Sequence, residues 1–382
     1  MANKFFTFSC DSHFVEPNDL YTSNMPASLK DYALYVKVEN GILISMMGDK
    51  VLYKFPIIGF DHKVGAGVSL GDGAVMKPQG QRDLSKRLAD MARDGVDAEL
   101  VFPTIALTAA MMDNRDAAVA TAHIYNDWIW DYVEGYRATF VPAAFMPLSG
   151  FDELLAEIAR AAAKGFRAIM LPPCPPDSLP GYTDPAWDPV FAACAEADAT
   201  IVSHTATGKV PVKALTGPGG AVYNYTRQMT DAMDATTRLV AGGVLDRNPK
   251  ARIMFAECGA GWLLPLGERM DETYVGHAPM VKPKLGRLPS QIVKDQVYSS
   301  FQNDTSCLLN RKVLGLKNMV FATDYPHSEG TFPTSQNVIE EMFTKVPDLT
   351  DDEKAAVLGL NAASLFHVIP EQAIAEKKHA AA

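Results

Sequence analysis

The feature that most constrains the fold is a repeated alternation of short apolar runs with longer amphipathic segments. The apolar runs are rich in β-branched and aromatic residues and have the length of buried strands. They lie at Phe5–Cys10, Ala98–Phe102, Ala138–Ala144, Arg167–Leu171, Thr200–Ser203, Arg252–Ala256, Val297–Phe301 and Asn318–Thr323. Because parallel strands are joined by helical crossovers, this series predicts a distorted (β/α)8 TIM barrel, an α/β fold, rather than an open doubly wound sheet.

The segments between these runs have helical periodicity. Three of them, Asp116–Tyr132, Phe151–Lys164 and Pro189–Ala197, are predicted helices. In the second, Leu154 and Ile158 are four residues apart and begin one apolar stripe that can pack on the barrel.

One segment is longer than a minimal barrel requires. Residues 14–85 follow the first strand and include a predicted hairpin, Gly41–Met47 and Val51–Phe55, which turns at Gly48-Asp49. We expect this insertion to form a lid over the barrel mouth. Residues 1–372 would then form a single domain, and 373–382 are expected to be a frayed C-terminal tail.

Ionisable side chains follow four of the predicted strands. Asp11 and His13 are two residues apart and point the same way, and His204, Glu257 and Asp324 each follow an apolar strand. The active sites of barrel enzymes lie at these strand ends, where buried charges need a partner. Two histidines and two carboxylates, those of Asp11, His13, His204 and Asp324, are enough to bind a catalytic divalent ion.

Three further residues lie close to these positions in the sequence. Glu257 could bridge to a second ion, act as a base, or accept a hydrogen bond that orients a ligand histidine. His327, in Asp324-Tyr325-Pro326-His327, is a candidate general acid or base. Glu16 is interpreted as a structural hydrogen-bond acceptor for the lid.

Composition excludes several classes of protein. The 35 Lys and Arg against 45 Asp and Glu give a net charge of −10, which would repel nucleic acids and anionic membranes. No apolar run approaches the length of a membrane helix, and no signal peptide is evident, so we expect a cytoplasmic protein. Five cysteines without a CxxC pair argue against a disulfide framework. A homo-oligomer, by default a dimer, acting on a small molecule is expected.

Seven blocks of sequence resemble a known family. They are Asp11-Ser12-His13-Phe14-Val15-Glu16-Pro17, Val101-Phe102-Pro103-Thr104, Tyr125-Asn126-Asp127-Trp128, Ser203-His204-Thr205, Glu257-Cys258-Gly259-Ala260-Gly261-Trp262, Thr323-Asp324-Tyr325-Pro326-His327 and Gly359-Leu360-Asn361-Ala362-Ala363. This pattern resembles the amidohydrolase-2 branch of the metal-dependent amidohydrolase superfamily, the branch of aminocarboxymuconate semialdehyde decarboxylase.

The resemblance implies a barrel with a catalytic metal that supports hydrolysis or non-oxidative decarboxylation. Asp11, His13, His204 and Asp324 fall on ligand positions of that pattern. Where the superfamily commonly has histidines, this chain has Asp11 and Glu257, which favours Mn, Fe or Zn bound through oxygen ligands. The fourth strand ends without a lysine, so a carbamylated-lysine centre is not expected, although a carboxylate-bridged pair of ions stays open.

Three functions are therefore weighed. The first is a metal-dependent hydrolase or decarboxylase of a small to medium organic acid, ester or amide, with an aromatic or bulky apolar substrate among the options. Glu257 or His327 would transfer the proton. The second is a dinuclear non-haem iron oxygenase on the same barrel, because three carboxylates and two histidines suit di-iron chemistry. The third is a metal-free binding module.

Overall fold

The computed structural model describes residues 4–56, 78–109, 112–205, 207, 217–327 and 329–380. Its strands, in chain order, are β1 Phe8–Ser9, β2 Leu34–Glu39, β3 Ile42–Met47, β4 Lys50–Pro56, β5 Ala98–Val101, β6 Phe140–Ala144, β7 Ala168–Met170, β8 Thr200–His204, β9 Ile253–Ala256, β10 Val297–Phe301 and β11 Met319–Phe321.

The α-helices lie between and after these strands. They are α1 Leu20–Asn24, α2 Leu84–Asp94, α3 Arg115–Tyr132, α4 Phe151–Lys164, α5 Asp188–Glu196, α6 Gly220–Ala241, α7 Val244–Arg247, α8 Leu263–Gly276, α9 Pro289–Gln296, α10 Thr305–Leu309, α11 Arg311–Leu314, α12 Ser335–Thr344, α13 Asp351–Ala355, α14 Asn361–Phe366 and α15 Pro370–Ala380. Among the helices in these ranges, none is both long and apolar enough to cross a membrane.

Eight parallel strands form the barrel, in the order β1-β5-β6-β7-β8-β9-β10-β11. Each overlaps one of the eight predicted runs. The first and last strands are joined by hydrogen bonds from Cys10 N to Phe321 O (2.8 Å) and from Asp324 N to Asp11 O (2.9 Å). These bonds close the sheet, so the predicted (β/α)8 barrel is confirmed.

The helix boundaries follow local capping chemistry. The Asp83 carboxylate accepts a hydrogen bond from Lys86 N at the start of α2, and Gly95 ends that helix with a φ of 72°. Helix α3 begins after Asn114, whose side chain accepts from Ala117 N. The three helices predicted from periodicity are present with boundaries within one residue of those expected.

The insertion after β1 forms a separate three-stranded antiparallel sheet, β2-β3-β4. The predicted hairpin corresponds to β3 and β4, and β2 is a third strand that we did not predict. Ser45 of β3 is buried, and its hydroxyl lies 3.3 Å from Thr108 Oγ1 in the segment that follows β5. The small sheet therefore packs at the end of the barrel where the strands terminate. Residues 57–77 of the insertion lie outside the described part of the chain.

The C-terminal segment differs from the expected frayed tail. Helix α15 continues to Ala380, and its Glu376 accepts hydrogen bonds from the backbone of Ala138 and Thr139. Lys377 pairs with Asp97, which lies just before β5. These long-range contacts, which local composition does not reveal, hold the helix against the barrel.

Candidate metal centre at the barrel mouth

Three of the predicted ligands meet around one point. The Nε2 atoms of His13 and His204 lie 3.2 Å apart, and each is 3.6 Å from Oδ1 of Asp11. The side chains of Asp11 and His13 are fully buried, and that of His204 is 3 % exposed. The ring of Phe102 packs against both histidines and closes one side of this cluster.

The hydrogen bond at Nδ1 of each histidine shows which ring nitrogen can face a metal ion. His13 Nδ1 lies 2.9 Å from Pro103 O, and His204 Nδ1 lies 2.7 Å from Thr205 O. A carbonyl oxygen can only accept a hydrogen bond, so both Nδ1 atoms carry hydrogen. In their neutral form the two rings would present Nε2 lone pairs to each other and to a carboxylate, an arrangement that fits a cation between them.

The two aspartate carboxylates fit the same cation. Neither carboxylate oxygen of Asp11 has a hydrogen-bond partner among the described residues, and the same is true of Oδ2 of Asp324. Both side chains are fully buried. Because a buried anion without a hydrogen bond or counter-ion is strongly disfavoured, this donor set fits a divalent metal ion.

Asp324 joins the cluster from the last strand. Its Oδ1 lies 3.9 Å from His13 Nε2 and 2.8 Å from His327 Nδ1. His327 is partly exposed, with 36 % of its side chain accessible, and its ring lies over that of His13. The structure thus brings together all four predicted ligands and the predicted acid or base.

Two of the predicted site residues have a strained backbone. Glu257 has a φ of 60° and Asp324 a φ of 56°, in the left-handed region that only glycine adopts readily. Such residues cost about 1–3 kcal/mol each and concentrate at functional sites. The strained backbone redirects each side chain at the point where its strand ends.

Glu257 lies beside the cluster. Its Oε2 accepts a hydrogen bond of 2.9 Å from Thr205 Oγ1, and its backbone N donates to Ser300 Oγ. One carboxylate oxygen from each of Glu257, Asp324 and Glu329 lies within 4.8 Å of the others. Glu329 was not predicted, because it follows a loop rather than a strand. Its only sequence signal is its position two residues after His327.

The ionisable side chains in the barrel mouth shift one another's pKa values. Burial, together with neighbouring carboxylates, raises the pKa of both Glu257 and Asp324. Burial disfavours charge on His204 and His327 as well, but carboxylates outweigh it and raise their pKa values to about 9 and about 10. His13 has its pKa lowered well below the usual value, by burial and by the two other histidines.

Glu16 lies outside this cluster and has a structural role, as expected. Its buried carboxylate accepts hydrogen bonds from the backbone N–H groups of Thr104, Ile105 and Ala106 and from the Tyr21 hydroxyl. It thereby holds the segment after β5, on which the small antiparallel sheet packs.

The fold and this donor set define the class of the protein: a metal-dependent barrel enzyme, either a hydrolase or a carboxy-lyase. Residues 10–368 match the family model described as Amidohydrolase. The chain therefore belongs to the amidohydrolase family. No curated protein sequence matches it significantly.

Solved structures share the fold at low identity. An amidohydrolase from Mycobacterium avium subsp. paratuberculosis K-10 has a TM-score of 0.73 and 20 % identity, covering 96 % of this chain and 100 % of its own. The 5-carboxyvanillate decarboxylase of Sphingomonas paucimobilis gives 0.67 and 20 %, with coverage of 96 % and 100 %. A dihydroxybenzoic acid decarboxylase from Polaromonas sp. JS666, solved with manganese and 2-nitroresorcinol, gives 0.62 and 15 %, with coverage of 95 % and 97 %.

Proposed function

We propose that Asp11, His13, His204 and Asp324 bind a divalent metal ion. The observation that carries this proposal is the fully buried Asp11 carboxylate, which accepts no hydrogen bond from the described residues and faces two histidine Nε2 atoms at 3.6 Å. Manganese is our first candidate, because two of the four ligands are carboxylates and a structurally similar decarboxylase contains it. Iron and zinc are the alternatives.

We further propose that the reaction is the non-oxidative decarboxylation of an aromatic carboxylic acid. Two structurally similar proteins are decarboxylases of substituted benzoic acids, which supports this substrate class. The bound ion would supply a positive charge that orients and polarises the substrate. The bond between the ring and the carboxylate breaks, carbon dioxide leaves, and a proton takes its place on the ring carbon.

The chain offers two proton donors for that step. Glu257 is the first candidate, because its raised pKa favours a protonated carboxyl group that can donate. His327 is the second, since its Nδ1 hydrogen bond to Asp324 leaves Nε2 available. Thr205 orients Glu257 through the hydrogen bond to Oε2.

Metal analysis followed by an activity screen tests the proposal. The purified protein, prepared with and without oxygen, should contain at least one equivalent of Mn, Fe or Zn. It should then release carbon dioxide from a panel containing 5-carboxyvanillate and dihydroxybenzoates. Asp324→Asn should abolish both, while Asp352→Asn, an exposed control on α13, should change neither. Turnover of esters or amides alone would instead assign a hydrolase, and substrate-dependent oxygen uptake with iron would assign the oxygenase, which the comparisons do not favour.

Glu257→Gln separates the two roles proposed for this residue. If Glu257 transfers the proton, the variant should retain its metal and turn over about 10² to 10⁴ times more slowly. If Glu257 bridges to a second ion, together with the nearby Glu329, the variant should lose one metal equivalent. Full activity with full metal content would contradict both roles.

We also propose that the insertion over residues 14–85 limits which substrates enter. The packing of Ser45 against Thr108, just after β5, supports a position at the barrel mouth. Removing Gly41–Phe55 should change substrate preference or turnover while metal content stays the same. Unchanged kinetics would contradict a lid.

A further inference from the structure

The inward face of helix α2 carries charged side chains where a barrel helix usually packs apolar ones. Arg87 and Asp90 are three residues apart, on one side of the helix, and are 0 % and 6 % exposed. Buried charges persist only when their partners satisfy them. The partners of this pair lie next to the proposed metal ligands.

Arg87 contacts the first strand end. Its Nε donates to Glu99 Oε2 at 2.7 Å, and one terminal nitrogen donates to His13 O at 3.1 Å. Glu99 also accepts a hydrogen bond from the side chain of Ser12. Arg87 and Glu99 together therefore hold the Ser12 side chain and the His13 carbonyl group, just after the first strand.

Arg87 and Asp90 also contact the last strand end. The guanidinium carbon of Arg87 lies 3.8 Å from the centre of the Tyr325 ring. The Tyr325 hydroxyl donates to Asp90 Oδ2 at 2.5 Å and accepts from Gly80 N at 2.8 Å. Because Tyr325 directly follows Asp324, these contacts from α2 hold the chain immediately after the Asp324 carboxylate.

These contacts cross the seam of the barrel, where the chain at and after β1 meets the chain at and after β11. Strand β1 has only two residues, and beyond it the seam depends on bonds such as His13 N to Tyr325 O at 2.7 Å. Residues on the two sides of the seam supply three of the four proposed ligands. A helix that contacts both sides of the seam can therefore set the distance between His13 Nε2 and Asp324 Oδ1, which are 3.9 Å apart.

We propose that Arg87, Asp90 and Tyr325 are positioning residues that hold His13 and Asp324 at metal-binding distance without touching the ion. This inference rests on the proposed metal site. Residues that orient metal ligands in this way change metal affinity by about 10- to 100-fold when they are removed.

The test compares two single-hydroxyl deletions. Tyr325→Phe removes the bonds to Asp90 and Gly80. The matched control, Tyr182→Phe, removes an equally buried hydroxyl that donates to Pro172 O at 2.5 Å, away from α2. Mn²⁺ dissociation constants are measured by electron paramagnetic resonance, and urea unfolding confirms that each variant is folded. We expect Tyr325→Phe to weaken Mn²⁺ binding about 10- to 100-fold and the control to leave it within about twofold of wild type.

Arg87→Lys provides a second variant should Tyr325→Phe not fold. Lysine keeps a positive charge beside Glu99 but lacks the planar fork that also reaches His13 O, so Mn²⁺ binding should again weaken. Wild-type Mn²⁺ affinity in folded Tyr325→Phe or Arg87→Lys protein would overturn the positioning role while leaving the proposed function intact. Equal losses in Tyr325→Phe and Tyr182→Phe would also overturn it. A wild-type protein that binds no divalent ion would overturn the proposed function and this inference together.

Discussion

Adding one methyl group at Gly330 should displace Asp324, one of the proposed metal ligands. A Cβ at this position would lie 2.6 Å from the carbonyl oxygens of Thr323 and Asp324, whereas ordinary contact begins at 3.4 Å. Because real Cβ atoms essentially never come closer than 3.0 Å to another heavy atom, Gly330→Ala requires a movement of about 0.4 Å, and of about 0.8 Å to reach ordinary contact. The loop cannot simply swing away, because Thr331 N is hydrogen bonded to Thr323 O at 2.8 Å. Asp324, already strained at a φ of 56°, should shift instead.

Such a shift exceeds what a metal site tolerates, which is about 0.2 Å in ligand distance. We expect Gly330→Ala to weaken Mn²⁺ binding at least about tenfold, equivalent to about 1.4 kcal/mol. Overpacking should lower the free energy of unfolding by about 1–3 kcal/mol. Metal titration and urea unfolding measure the two effects. Gly276→Ala, with open space around its Cβ at the exposed end of α8, is the control. Wild-type Mn²⁺ affinity and stability in Gly330→Ala would refute the steric argument.

Three further predictions concern stability, pH and metal removal. Glu16→Gln should lower the free energy of unfolding by about 2–5 kcal/mol in urea titrations, because its amide nitrogen would face buried N–H or O–H donors such as Ala106 N; an unchanged midpoint would contradict this. Mn²⁺ affinity should rise as the pH increases toward 9. The pKa of His204 is raised to about 9, so this ring must lose a proton before it can bind the ion. A flat profile in Mn²⁺ titrations at several pH values would count against this prediction. Chelation should lower the unfolding temperature in calorimetry, since ligand at 100 times its dissociation constant stabilises a protein by about 2.7 kcal/mol, and no change would argue against a bound ion.

Local pattern was sufficient to predict the barrel. Strand residues such as Ile201 and Val202 are apolar because a parallel strand covered on both sides is buried throughout, and β8 is buried along its whole length. The position of a polar residue directly after such a run then identified Asp11, His204 and Asp324 as candidate metal ligands, because the carboxyl ends of all strands in a parallel barrel lie at one mouth. These inferences need only the order of residues along the chain.

Other features depend on contacts between distant parts of the chain. Arg87 and Asp90 have the appearance of a solvated helix face, and only the folded barrel brings them to Glu99 and Tyr325. Glu329 lies near the carboxylates of Glu257 and Asp324, and the hydrogen bond from Thr331 N to Thr323 O ties the chain just after it to the last strand end.

The C-terminal helix α15 shows the same division. Its alanine- and lysine-rich sequence suggests fraying, yet the Glu376 carboxylate accepts hydrogen bonds from the backbone N–H groups of Ala138 and Thr139, which hold the helix in place. The sequence by itself determined which residues form strands and which strand ends carry the proposed metal ligands, because burial and side-chain alternation depend on the local order of residues. The tertiary structure alone decided how those side chains are spaced and held, because that depends on contacts that form only when the first and last strands meet.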